Sequence, residues 1–159
     1  MIQRLLTWYL AKRPDPDFIV GGSERPYLLR WWLIPRNPVF NIYLHKFVRD
    51  DDDRALHDHP WVSCSILLQG YYREHTIAAG GIHRRELREA GSVKVALPSR
   101  AHRVELLLDE AGRSIPCWTI FITGPRVRRW GFHCPESGWV PWEEFVDSAD
   151  RGQIGKGCG

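Results

Sequence analysis

Three histidines hold the chemistry most worth asking about in this sequence. His57 and His59 stand one residue apart in Leu56-His57-Asp58-His59-Pro60, and His102 follows Pro98-Ser99-Arg100-Ala101. An extended strand turns alternate side chains to one face, so His57 and His59 can point at the same spot. A third imidazole from a neighbouring strand would complete a face of three nitrogen donors and leave positions open on a transition metal. The spacing therefore predicts a metal centre with room for substrate. His45 and His133 are weaker candidates, the first as a fourth imidazole, the second, with Cys134, at a pocket mouth or a stray soft-metal site, a structural turn before Pro135 being the plainer reading of that segment. His75 and His83 flank the Ala79-Gly80-Gly81 turn and are expected to be exposed.

The elements that must position these groups read as strands. Short stretches with strand character run over residues 27–34, 39–48, 62–68, 71–77, 83–88, 92–96, 102–108, 117–123 and 127–132. Glycine-rich and acidic turns separate them, and many short strands at this spacing predict an all-β antiparallel sandwich or barrel. Residues 41–47 alternate with large groups on both faces, as a strand packed on each side would. Met1 to Arg13 predicts a short amphipathic helix, and Trp142 to Ser148 a short closing one. The expected organisation is a helix and loop over 1–26, one barrel domain over 27–148, and a fraying glycine-rich tail over 149–159.

Parity also nominates a pocket. Trp61 and Ser63 share the parity of His59, Cys64 lies beside Ser63, and Val104 follows His102 by two residues. Asp58 and Glu105 have the opposite parity and read as ion-pairing residues, Glu105 with Arg103 or Arg100. The run Asp50-Asp51-Asp52-Asp53 lacks the spaced oxygens and glycine of a calcium loop and reads as a solvated charged loop.

Composition narrows the class. At 159 residues, 43% hydrophobic and with eight tryptophans, the chain is sized for one domain with a sizeable core. The net charge of +3 is small for a nucleic-acid binder, and the basic groups Arg84–Arg88 and Arg126–Arg129 read as solvated faces, so no nucleic acid is expected. No apolar run approaches the ~20 residues of a membrane span. Cys64, Cys117, Cys134 and Cys158 form no CxxC pair and read as reduced thiols of a cytoplasmic protein. Apolar residues on the outer strands are compatible with a homodimer.

The stretch from His57 to Gly70 resembles the first motif of the cupins: two histidines one residue apart and a closing glycine. Pro98 to His102 resembles the second, in which a proline precedes a metal-binding histidine. The chain as a whole is similar to small single-domain cupins of bacterial and phage type. That resemblance implies a double-stranded β-helix, or jelly-roll, barrel. It also implies a divalent metal on His57, His59 and His102, with Fe(II) favoured and Zn, Ni or Mn as alternatives.

Where cupins usually place a glutamate ligand, seven residues before the motif glycine, this chain has Ser63. The implied ligand set is therefore three neutral imidazoles, as in the thiol dioxygenases that the motif Leu56-His57-Asp58-His59-Pro60 and the segment His102-Arg103-Val104-Glu105 also resemble. The histidine–serine–tyrosine relay of cysteine dioxygenase has no counterpart in Trp118-Thr119-Ile120-Phe121-Ile122-Thr123. The expected function is a mononuclear Fe(II) dioxygenase, an oxidoreductase acting on a small polar or thiol substrate. Alternatives are a non-catalytic small-ligand or assembly cupin, and a metal-independent isomerase or epimerase working by acid–base chemistry.

Overall fold

Short β-rich segments punctuated by glycine and proline fold here into two six-stranded antiparallel sheets. The structure, a computed structural model, describes residues 2–50, 55–149 and 153–159; Asp51, Asp52 and Asp53 of the expected acidic loop lie outside the described residues. The first sheet runs in the order β1 (Phe18–Val20), β2 (Leu28–Trp32), β3 (Asn41–Phe47), β10 (Cys117–Thr123), β5 (Ser63–Gln69) and β8 (Val93–Ala96). The second runs β12 (Gly138–Pro141), β11 (Gly131–Cys134), β4 (Leu56–His57), β9 (His102–Leu106), β6 (Tyr71–Ile77) and β7 (His83–Glu89). Helices α1 (Ile2–Lys12) and α2 (Trp142–Phe145) flank them. The sequence reading missed β1, β4 and β12, which are short. It also began β11 too early: Val127 lies ahead of the strand, its N–H bonded to the Pro60 carbonyl at 2.8 Å.

Around β2, β3 and β10 the first sheet is covered on both sides, which explains why β3 carries large groups on each face. Outward-facing Trp31, Leu44, Trp118 and Ile120 pack with Leu6, Tyr9 and Leu10 of α1. A helix of 11 residues is marginal alone, and this packing stabilises it. Its end is fixed as well, since the Trp31 indole N–H donates to the Arg13 carbonyl at 3.1 Å. The opposite face turns Arg30, Tyr43, His45, Ser63, Ser65, Lys94, Thr119 and Phe121 towards a cavity shared with the second sheet.

Gly70 carries the chain between the sheets as the single residue separating β5 from β6. Its φ of +83° suits only glycine, and a Cβ there would lie 2.9 Å from the Pro116 carbonyl oxygen. This turn sets the phase of β6, and so decides that Tyr72, Glu74 and Thr76 face inward.

Two expectations about the C-terminal region are corrected. Cys134 and Cys158 are joined in a disulfide, and only Cys64 and Cys117 are free thiols. The ground for reading all four as reduced, and from that a cytoplasmic protein, is therefore lost for this pair. Residues 153–159, expected to fray, are bonded to the body: Ile154 bridges Val146, and the Gly155 N–H donates to the Phe145 carbonyl at 3.0 Å. Phe145 itself is buried and stacks on Phe132. Closing a loop over a sequence separation of 24 residues should stabilise the fold by about 3 kcal/mol. Reduction, or the change of Cys134 and Cys158 to serine, is expected to lower the calorimetric Tm by roughly 6–12 °C. An unchanged Tm would show that the bond contributes nothing.

Among the described residues, no helix is long and apolar enough to cross a membrane.

Candidate metal centre

The three histidines come from different strand environments, and the backbone brings them together. His57 closes β4, where it is paired with His102 of β9 on one side and with Phe132 of β11 on the other. His59 lies past the end of that strand, its N–H held by the Pro98 carbonyl at 3.1 Å. Between them Asp58 points the other way and is almost fully buried. Its carboxylate accepts from the Gly131 N–H at 3.0 Å and the Trp139 indole at 3.1 Å, and pairs with Arg128 at 2.8 Å and His133 at 3.1 Å. Burial works to raise its pKa, but these partners outweigh burial and hold it below the ordinary value of 3.8. Asp58 thus ties the histidine segment to β11 and β12, an ion pair between segments as its parity foretold, though inside the protein.

One ring nitrogen of each of His57, His59 and His102 lies within 4.8 Å of the other two. The Nε2 atoms of His59 and His102 are 3.0 Å apart. Two nitrogen lone pairs cannot face each other at that distance without a proton or a cation between them. Two imidazoles bound side by side to one ion, with bonds of about 2.1 Å, require a similar separation. Burial lowers the pKa of His59 well below 6.5, with His57 and His102 adding to the effect. Burial likewise brings His102 down to about 4, against the opposing effect of its hydrogen bond to Glu74. Neutral imidazole is the form a metal needs. The donor set fits a divalent transition metal.

The sequence reading missed Glu74. It is buried on the inner face of β6, and its Oε1 lies 2.9 Å from His102 Nδ1. The carboxylate fixes the proton on Nδ1 and leaves the Nε2 lone pair turned towards His59. The same oxygen takes a short hydrogen bond from Lys94, and Arg88 reaches the other oxygen at 3.3 Å. Burial pushes the Glu74 pKa up, but His102 and Lys94 prevail and hold it at about 2. Ser63 therefore stands where the cupin resemblance leads one to expect a glutamate, while a carboxylate from the next strand orients His102 from behind.

A cavity of about 620 Å³ opens over the three histidines, within the range of small-ligand pockets. Trp61, Ser63, Val104 and His45 line it together with Phe121 and Phe132. Trp61 stacks on His59, the planes 15° apart. Cys64, expected in the pocket, does not line it: Ser63 and Ser65 take the inward positions of β5 and turn Cys64 to the outer face. His45 is buried in the wall but stands outside the histidine cluster, its Nε2 accepting from the Arg30 Nε at 2.8 Å. His133 is not at the pocket mouth, because the exposed side of β11 carries it to Asp58.

His75, expected to be exposed, is buried on the outer face of the second sheet, between His83 at 2.9 Å and a short contact to Glu105. Glu105 pairs with Arg73, at 2.6 Å, rather than with Arg103 or Arg100.

No protein-family model matches the sequence, and no curated protein does. Solved structures do share the fold. The hydroxypropylphosphonic acid epoxidase from S. wedmorenis is 14% identical, with a TM-score of 0.50 over 67% of this chain and 54% of that one. A structure of FeII HppE in complex with substrate gives 13% identity and a TM-score of 0.53 over 70% and 57% of the two chains. A putative mannose-6-phosphate isomerase from Ralstonia eutropha gives 14% identity and a TM-score of 0.50 over 69% and 92%. This chain spans little more than half the length of the first two. These likenesses, with the two sheets, define a cupin-type fold. Its distinguishing feature here is a cluster of three histidines lining the inner cavity.

Proposed function

We propose that His57, His59 and His102 hold one divalent transition metal, Fe(II) in preference to others, and that the protein is a mononuclear dioxygenase-type enzyme for a small polar or thiol substrate. The observation that carries this reading is the convergence of three imidazole nitrogens, those of His59 and His102 held neutral by desolvation, on one point of a substrate-sized cavity. A three-histidine face leaves coordination positions open, and a metal bound there supplies Lewis acidity to a chelating substrate and electrons to dioxygen. Fe(II) is the ion named for the fold-sharing HppE. The chain's own residues set the conditions. Glu74 holds the His102 proton at Nδ1, Asp58 fixes the turn that carries His57 and His59, and Trp61, Phe121 and Phe132 exclude water from the cavity wall.

A second reading has an observation of its own. The Glu74–His102 pair is a base with a second titratable group, which is what metal-independent isomerase chemistry asks of the same cavity.

Elemental analysis separates the two. Protein purified without added metal is expected to hold about one iron or related ion per chain, and the triple change of His57, His59 and His102 to alanine should abolish it. Fe(II)-loaded protein should also give the spectroscopic signature of nitric oxide bound at iron. Absence of stoichiometric metal, with none taken up on addition of Fe(II), would leave the acid–base reading in its place.

A further inference from the structure

The inner face of the first sheet carries two cations, Arg30 and Lys94, where a cavity wall would ordinarily be apolar or neutral. Lys94 has its counter-charge in Glu74. Arg30 has none among the described residues. Its Nε donates to His45 Nε2 at 2.8 Å and its guanidinium lies over the Tyr43 ring, 4.9 Å from the centroid. Neither contact offsets a positive charge as a carboxylate would, and the terminal nitrogens of the guanidinium have no acceptor among the described residues.

The surroundings add positive charge. Arg25 and Arg36 line the same cavity, and Glu74 is the one carboxylate among the described lining residues, already engaged by His102 and Lys94. Burial lowers the Arg30 pKa from its ordinary value, and Arg36 adds to that. Taking a charge out of water without a partner is unfavourable, and a ligand that brings the partner recovers the loss.

Arg30 faces the same cavity as the three histidines and is linked to them by a chain of ring contacts. His45, which it holds, stacks on Phe121 with ring centroids 5.2 Å apart, and Phe121 meets His59 at 5.6 Å. Register gives the same placement: Arg30 is opposite His45 across β2 and β3, and His45 is opposite Thr119 across β3 and β10. A guanidinium presents a planar fork of N–H donors that matches a carboxylate or phosphoryl group, and His45, accepting at Nε, holds that fork in one orientation.

We propose that Arg30 binds an oxyanion, so that the substrate of the histidine centre is a small organic anion whose carboxylate or phosphoryl group sits at Arg30 while its other end meets His57, His59 and His102. The first half stands without a metal; the second deepens the function proposed above and rests on it.

The test titrates Fe(II)-loaded protein, without oxygen and at low ionic strength, with sodium acetate and separately with inorganic phosphate. Tryptophan fluorescence and calorimetry follow binding, and the titrations are repeated on metal-free protein. Wild-type protein is expected to bind at least one of the two anions saturably, one per chain, and the better one identifies the headgroup. Arg30→Gln should weaken that binding at least tenfold in both metal states while leaving metal content unchanged. Arg30→Lys, which keeps the charge and loses the fork, should fall between them and guards against a folding defect in the first variant. Arg36→Gln should weaken binding less than Arg30→Gln. Saturation by neither anion, or equal affinity in wild type and both Arg30 variants, or equal losses at Arg30 and Arg36, would overturn the assignment. A protein that takes up no metal yet binds anion through Arg30 would remove the metal reading and leave this one standing.

Discussion

Replacing Glu74 with leucine is expected to destabilise the protein by about 3–5 kcal/mol and to weaken metal binding by roughly 10–100-fold. The two effects have separate causes. The stability loss comes from Lys94, whose ammonium is mostly buried against Glu74 and would be left as an uncompensated charge. Burial already lowers the Lys94 pKa, and Glu74 is what opposes that. The metal effect comes from His102, whose Nδ1 proton would lose its acceptor and whose ring would be free to change tautomer and tilt.

A second substitution separates them. The double variant Glu74→Leu with Lys94→Met should recover most of the stability, because no charge is left stranded, yet keep the weakened metal affinity. Glu74→Gln should do the reverse, retaining an acceptor for His102 while leaving Lys94 without its anion. Chemical denaturation and competitive metal titration on the three variants check this. A double variant that regained full metal affinity would show that Glu74 serves packing alone.

How far the sequence could be read follows from where its patterns were unambiguous. The two histidine motifs were legible because spacing and parity agree: His57 and His59 flank one inverted residue, and His102 falls in register with His57 across β4 and β9. The β-rich fold was legible for the same reason, since turns and alternation repeat along the chain.

The charged lining of the cavity was hidden because its parity runs against hydrophobicity. In β8 the apolar pair Val93 and Val95 predicts the inward face, yet both are exposed and Lys94 points in with Ala96. In β2 the packing of Trp31 under α1 gives the apolar signal to the outer face, and Arg30 goes to the cavity. An apolar outer face, covered by α1 at β2 and exposed at β8, set against a polar interior gives the reverse of the contrast by which a face is chosen. Glu74 could have been found by counting from Gly70: a single-residue turn places Tyr72 and Glu74 in one phase, and a carboxylate sharing a face with a buried tyrosine is a signal. The disulfide had no such signal, because Cys158 reaches Cys134 only after α2 has turned the chain back past Phe145.

Acidification of metal-free protein should destabilise it well before its carboxylates titrate. Burial keeps His45, His59 and His102 neutral in the fold, with His102 at about 4. In the unfolded chain each returns to an ordinary value near 6.5. Between those limits the unfolded chain binds more protons than the native one, so the free energy of unfolding rises with pH and is lost as pH falls from about 6.5 to about 4. His102 alone contributes a loss on the order of 3 kcal/mol over that window, and His45 and His59 add to it. Glu74, held at about 2, extends the loss below its ordinary value of 4.5. Urea midpoints at pH 7 and pH 5 measure the effect, and His102→Gln should flatten the slope.

The same burial changes the expectation for metal. Exposed imidazoles would release an ion as pH drops through about 6.5, whereas burial keeps His59 neutral well below that and His102 neutral down to about 4. Metal should therefore be retained at pH 5 if the fold survives, and adding it at that pH should restore the urea midpoint. Equal midpoints at pH 7 and pH 5 without metal would mean that the histidines are protonated inside the fold, and that the cavity is wetter and more open than its lining implies.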